Sequence, residues 1–205
     1  MVSFRWTDLL TQWSTDLINS KYGVDLPPDV IARGWLGYPG ATEEQLMAVE
    51  HRLGISLPPS YRLFLQVTNG WRRTTPFVER LYSLEEIEWF ATNNQWAIDA
   101  TMKGGAYVPP YLQGTGYQPL SISDEEYLVY DDNSEQPFRA EYLQSTLEIS
   151  PYSDGCYLLN PRIVTADGEW EAWFYAPWNL VPARYRTFWE LMQAEYQAFL
   201  SMKDL

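Results

Sequence analysis

Glu169 and Glu171 lie two residues apart, and Trp173 and Tyr175 continue the same period. Alternate residues of a strand share a face. A strand here therefore presents one acidic and aromatic side, with Trp170, Ala172 and Phe174 on an apolar one. Paired carboxylates beside aromatic rings suit two kinds of chemistry. They can flank a glycosidic bond, or they can meet the Lys and Arg of a protein partner while the rings anchor the interface. Strand rise sets the two Glu Cα atoms about 6.6–6.8 Å apart, which does not discriminate, because glycoside hydrolysis depends on carboxyl separation across a cleft. Asp131 and Asp132, on what reads as a neighbouring strand, extend the acidic side. Binding of a partner by Asp131, Asp132, Glu169, Glu171, Trp173 and Tyr175 is the favoured role, although Trp173 reads equally well as core.

Other reactive residues are few. Cys156 is the only cysteine and His51 the only histidine. An intramolecular disulfide is impossible, and the usual Cys and His cluster of a zinc site is missing. His51 falls inside a helical segment between Glu50 and Arg52, where a surface position is the simpler reading. A Cys156–His51 dyad would need the two to meet in space. There is no Gly-rich phosphate loop and no nucleophile elbow. No catalytic residue, metal or cofactor is therefore assigned.

The net charge of −13 argues against a nucleic-acid ligand, since phosphate affinity comes from clustered Lys and Arg. From Asp124 to Glu171 there are twelve acidic residues against two arginines, a net of −10, and the rest of the chain carries −3. Such a one-signed surface steers basic partners, or else simply keeps a protein soluble. Ten Trp, fifteen Tyr and eight Phe supply large packing area. No apolar run reaches the roughly 20 residues of a membrane span, and the N-terminus lacks a secretory pattern. A cytoplasmic location is expected. At 205 residues, one domain over 1–205 is expected, with an added helical segment over about 1–30.

The elements that must position these residues are legible in part. Leu9, Leu10, Trp13, Leu17 and Ile18 give an amphipathic helix within Phe4–Asn19, and Pro27–Pro28 opens another helical turn. Thr42 with Gln45 forms a capping box for a helix carrying Leu46, Val49 and Leu53, which Gly54 stops. Pro58–Pro59 starts a second helix with Tyr61, Phe64, Leu65 and Thr68 on one face. Ser83 with Glu86 predicts a short capped helix to Phe90, and Val108–Pro119 reads as a surface loop. After Pro119 the period turns to two. Strands are predicted through Tyr127–Asp131, in a next segment with Leu143, Leu147 and Ile149 on one face, at Cys156–Asn160, and at Ile163–Thr165 and Glu169–Tyr175 on the two sides of an Asp167–Gly168 turn. Phe188, Leu191, Met192, Glu195, Tyr196, Phe199 and Leu200 form a closing helix. The order predicts an α+β fold, with helices packed on one face of a mostly antiparallel sheet.

Trp35, Gly37, GATEEQL, the ExRLG of Glu50–Gly54, LPPSYRLFL of Leu57–Leu65 and NGW of Asn69–Trp71 together resemble the SUKH superfamily of immunity proteins, in its cell-wall-assembly-regulator branch. YLLNP at Tyr157–Pro161, DGEWEAWFY at Asp167–Tyr175 and RYRTFWELM at Arg184–Met192 look like its later strands and closing helix. The resemblance is weakest over Leu81–Gln118. It implies a non-catalytic protein that neutralises a cognate bacterial toxin by occluding it, the partner being a toxin with a basic surface. The branch also implies an alternative, an intracellular regulatory scaffold, although the long extensions of such relatives are lacking. A carbohydrate-active enzyme ranks third.

Overall fold

The computed structural model describes residues 4–103, 122–130, 138–178 and 181–203. Four helices precede the sheet: α1 (Trp6–Ile18), α2 (Pro28–Arg33), α3 (Glu43–Leu53) and α4 (Pro59–Val67). The order continues through β1 (Glu88–Trp89), α5 (Phe90–Lys103), α6 (Asp124–Tyr127), β2 (Leu147–Glu148), β3 (Cys156–Val164), β4 (Trp170–Tyr175), β5 (Ala183–Tyr185) and α7 (Phe188–Met202). The five strands form an antiparallel sheet in sequence order. The fold is α+β as expected, with helices at both ends of the chain. No helix among the described residues is long and apolar enough to cross a membrane.

The capping chemistry behaves as its residue types require. Thr42 accepts from the Gln45 amide and the Gln45 side chain accepts from Thr42, closing the capping box of α3. Gly54 ends that helix at φ 69°, a left-handed conformation that costs a residue with a Cβ considerably more than glycine. α4 starts directly after Pro58, with Pro59 in its first turn. Its C-cap is Thr68, one residue before the Asn69–Gly70 stop.

α1 buries Trp6, Leu10, Trp13 and Leu17, a stripe at helical spacing. The stripe lies against α4 and α7. Trp6 meets Phe64 at 5.3 Å and Trp189 at 4.7 Å between ring centroids, both edge to face, while Trp13 lies 5.2 Å from Tyr196. Asp16 at the end of α1 accepts from Tyr196 and Lys203 of α7. With α3, these helices cover one face of the sheet, where Leu147, Ile149, Tyr157, Leu159, Trp170 and Ala172 point inward. The predicted stripe of α7 is buried from Phe188 through Phe199, including Glu195, whose carboxylate accepts from the Tyr157 hydroxyl.

The opposite face is covered too. Cys156, Leu158, Trp173 and Tyr175 join Phe90, Ala97 and Ile98 of α5 and Leu143 of a 3₁₀ turn (Ala140–Ser145) in a second, smaller core. Four local readings change, the first being that Leu143 belongs to the 3₁₀ turn and not to the strand segment of Leu147. Tyr127–Asp131 is not a strand where described: Ser123 and Glu126 form a capping box that nucleates α6 over Asp124–Tyr127, and the helix gives way to a turn at Leu128. The S-x-x-E signature was present in the sequence, and it outweighs two-residue alternation. Ser83 and Glu86 close a single turn, since Glu88–Trp89 then pairs with Glu148–Leu147 as β1 and helical geometry resumes at Phe90. Cys156–Asn160 and Ile163–Thr165, read as separate strands, belong largely to the continuous β3, whose pairing with β4 shifts register between Asn160 and Val164. Pro161, which has no N–H to give the ladder, lies in that irregular stretch. The Val108–Pro119 loop reading falls outside the described residues.

Candidate protein-binding surface

The acidic and aromatic side expected of β4 is interior. Glu169, just before the strand, is 4 % exposed and reaches α4: its Oε1 accepts from the Ser60 amide at 2.7 Å and its Oε2 from the Ser60 hydroxyl. Burial raises its carboxyl above the usual range, against the pull of the Ser60 bonds. Glu171, Trp173 and Tyr175 lie on the second core, also buried. Trp173 is core, 5.5 Å from the Phe138 ring, while Tyr175 shares a hydrogen bond of 2.8 Å with Thr101 of α5. These four residues therefore offer no open face to a partner. Alternation gives the side of Glu171, Trp173 and Tyr175 but not what covers it, and Glu169, which precedes the strand, turns to the other side, toward α4. Asp131 and Asp132 lie outside the described residues.

Glu171 is the hub of a buried polar cluster. Arg184 Nε of β5 donates to Glu171 Oε1 at 2.8 Å, Asn160 Nδ2 to Oε2 at 2.7 Å, and the hydroxyls of Tyr127 and Tyr130 donate at 3.0 Å each. The guanidinium also lies 3.7 Å from the Tyr127 ring centroid and donates to the Tyr127 carbonyl. With four donors on one carboxylate, the anion is compensated without water. The cluster fastens residues 127–130 onto the sheet. Glu148 of β2, on the same face, meets no cation among the described residues: it accepts from Asn94, the residue that breaks helical geometry in α5 at φ −125°, and burial pushes its carboxyl up to about 7.

Glu169 and Glu171 thus engage different partners, α4 on one side and β5 with residues 127–130 on the other, and do not converge on a cleft. Cys156 is buried in the second core with its thiol pushed well up by burial, while His51 is exposed on α3. No dyad forms between them. Burial of Glu148, Glu169 and Glu171 also withdraws three carboxylates from the anionic surface expected of Asp124–Glu171.

The open chemistry lies at the end of the sheet, around the turn between β2 and β3. Trp96 of α5 is 66 % exposed and Trp178, just after β4, is 58 % exposed. Tyr152 of the turn lies 5.9 Å from Trp96 and stacks on Tyr175 at 5.8 Å and 13°. Two residues on, the Asp154 carbonyl accepts from Trp178 Nε1 at 2.6 Å. Trp178 in turn meets Phe77 at 5.5 Å and Phe174 at 6.1 Å. A Cβ on Gly155 would come within 2.5 Å of the Phe174 ring, so only glycine lets the turn press down onto it. Trp96 and Tyr152 thus form one exposed aromatic cluster, over Tyr175 on the α5 side of the sheet, and Trp178 and Phe77 form another, over Phe174 on the opposite side. The residues of each cluster come from separate segments that no periodic pattern relates.

Comparison with protein families places this architecture. The SMI1 / KNR4 family (SUKH-1) matches residues 40–194. The chain belongs to that family. No curated protein matches it. The SUKH-1 match starts after α2, so α1 lies outside it, yet α1 is packed into the same core as α4 and α7. The SUKH-1 residues recognised in the sequence do structural work. Glu50 accepts from the Leu57 amide and pairs with Arg62, Arg52 donates to the Ile87 carbonyl and pairs with Glu88, and Asn69 accepts from the Leu84 amide. Trp96, Tyr152, Trp178 and Phe77 are not among them.

Proposed function

We propose that this SUKH-1 protein is a cytoplasmic immunity protein that neutralises a cognate toxin by binding and covering it, with no chemistry of its own. The supporting observation is two exposed tryptophans, Trp96 and Trp178, each seated in its own aromatic cluster. Binding energy concentrates in Trp and Tyr anchors at interface centres, and here two half-exposed tryptophans are fixed by a hydrogen bond and ring contacts. Fixed anchors lose little rotamer freedom on binding. An acidic protein around them would speed encounter with a basic toxin surface. The buried carboxylates fit the non-catalytic part of the reading, each being held by internal donors.

Coexpression with the toxin encoded beside its gene tests the proposal. Growth is expected to be rescued, and the purified pair is expected to form a complex at micromolar concentration whose association slows with added salt. Rescue without a complex, or no rescue at all, overturns occlusion. Capture of signalling proteins alone would move the assignment to a regulatory scaffold.

A further inference from the structure

Resting on the reading of Trp96 as an anchor for a protein partner, we infer that Glu148 is a proton-sensitive clasp for the exposed Trp96–Tyr152 pair. Its protonated carboxyl holds the pair in place and its ionised form releases it, so partner binding through this pair weakens as pH rises. The two rings, 5.9 Å apart, belong to different segments, α5 and the turn between β2 and β3. Both segments are tied to the same buried side chain. From α5, Asn94 Nδ2 donates to Glu148 Oε2 at 3.0 Å, and from the turn the Tyr152 backbone N–H donates to the same carboxyl group. Asn94 is also where α5 leaves helical geometry, two residues before Trp96, so the side chain that Glu148 holds sits at the bend that aims the tryptophan. Glu148 and Asn94 are buried, at 3 % and 8 % exposed, whereas Trp96 is open. A buried tie thus ends on an exposed ring.

Ionisation acts on this tie because the surroundings of Glu148 do not compensate a charge. The titratable groups that face it are Glu88 of β1, Cys156 of β3, Tyr82 ahead of β1 and Tyr152 of the turn, while α5 presents the neutral Asn94 amide. Burial raises the thiol and both phenols, so all three are uncharged near neutral pH. Glu88, opposite Glu148 in the β1–β2 ladder, adds a like charge, and Arg52 on that side is engaged by Glu88 at 3.0 Å. Arg80, over the Tyr82 ring, is paired with Glu86. Two neutral donors offset the burial of a carboxylate only in part, and the Glu148 carboxyl is pushed up to about 7. Below that pH the neutral acid stays buried and accepts from its two donors. Above it the anion is stabilised by turning toward water, and each donor it leaves loosens one side of the aromatic pair.

Two measurements test this. In the first, the full chain is followed by proton–nitrogen NMR from about pH 6 to about pH 8. The Asn94 side-chain amide, the Tyr152 backbone amide and the Trp96 indole N–H are expected to shift with one common midpoint of about 7, and E148Q is expected to abolish all three titrations. N94A keeps the carboxyl but cuts the link to α5, so the Tyr152 amide still titrates while the Trp96 indole no longer follows. E195Q, which removes the other carboxyl pushed up to about 7, leaves the Trp96 titration in place. A Trp96 indole that stays still while the two amides shift, or one that titrates unchanged in E148Q or N94A, overturns the inference. In the second, affinity for the toxin is compared at the two ends of the range. With only the protonated form competent, the competent fraction falls from about nine-tenths to about one-tenth, and wild-type affinity is expected to weaken about tenfold more than that of E148Q. If the complex forms and E148Q shares its full pH dependence, the clasp is refuted while occlusion stands. If no toxin complex forms but the three signals titrate together, occlusion fails and the clasp stands.

Discussion

The two faces of the sheet are built on opposite principles. Under α1, α3, α4 and α7 the packing is large, apolar and aromatic, and among the described residues Trp13 Nε1, Tyr61 Oη and Trp71 Nε1 have no hydrogen-bond partner there, as Trp173 Nε1 has none on the other face. Ring area evidently outweighs those lost bonds, since a fully buried aromatic contributes a few kcal/mol and an orphaned neutral donor costs about 1–3 kcal/mol. Under α5 and the 3₁₀ turn the core is smaller, and Glu171 with Arg184, Tyr127, Tyr130 and Asn160 replaces part of the oil. One face is held by volume and the other by pairing. Volume tolerates substitution of one hydrophobe for another, while a charge cluster tolerates almost none of its members being removed singly.

The largest predicted effect follows from that asymmetry. Arg184→Met leaves Glu171 buried against neutral donors and is expected to cost about 3–5 kcal/mol in urea-induced unfolding. Glu171→Gln added to it should recover part of the loss, because the second change removes the stranded charge. Trp13→Phe on the other face, which deletes an indole N–H that has no partner among the described residues, is expected to cost less than half as much. A mild Arg184→Met phenotype would break the comparison.

The apolar face was the more legible one in the sequence. Thr42, Gln45, Gly54, Pro58 and the stripes of α1 and α7 act within one helix, so spacing alone reveals them. The pairing face was not. Glu171 meets Arg184 thirteen residues on and Tyr127 forty-four residues back, and no period relates them. The period-two reading placed Glu171, Trp173 and Tyr175 correctly on one side of β4, but took that side for a surface, because α5 sits in the stretch with the weakest pattern. The exposed aromatic pairs are no more legible, because Trp96 meets Tyr152, and Trp178 meets Phe77, across separate segments.

Buried carboxyls that meet no cation among the described residues sharpen the comparison through pH: Glu195 and Glu169 on the apolar side, and Glu148 on the pairing side. Burial pushes Glu195 on the apolar side up to about 7 and Glu148 on the pairing side to about 7, against the opposing pull of their donors. The folded protein then holds more protons than the unfolded chain between the ordinary 4.5 and 7. Stability from both groups is complete below that window and declines as pH rises through it, by up to about 3 kcal/mol each. Unfolding free energy is therefore expected to fall between about pH 5 and 8. Glu195→Gln, in which an uncharged amide can still bond the Tyr157 hydroxyl, should flatten about half of that slope. A slope unchanged in Glu195→Gln would mean that the apolar face does not contribute to it.

The smallest effect separates local from remote capping on the apolar face. Thr42 caps α3 from the adjacent residue, whereas Pro58 before α4 has no side chain to do so, and Glu169, 109 residues away, supplies the missing acceptor to the Ser60 amide. A carboxylate at a helix N-terminus also interacts favourably with the dipole. Thr42→Ala is expected to cost about 1 kcal/mol, felt mainly by α3. Glu169→Gln keeps one acceptor and should cost a similar amount, about 1 kcal/mol, but its site differs: it loosens the junction between α4 and the β3–β4 turn. Hydrogen exchange would tell them apart, with faster exchange confined to the first turn of α3 in Thr42→Ala and reaching both the Ser60 amide and the Thr165–Glu169 turn in Glu169→Gln. Exchange at Ser60 unaffected by Glu169→Gln would show that α4 is positioned by packing alone, and the apolar face would then be the more uniform of the two.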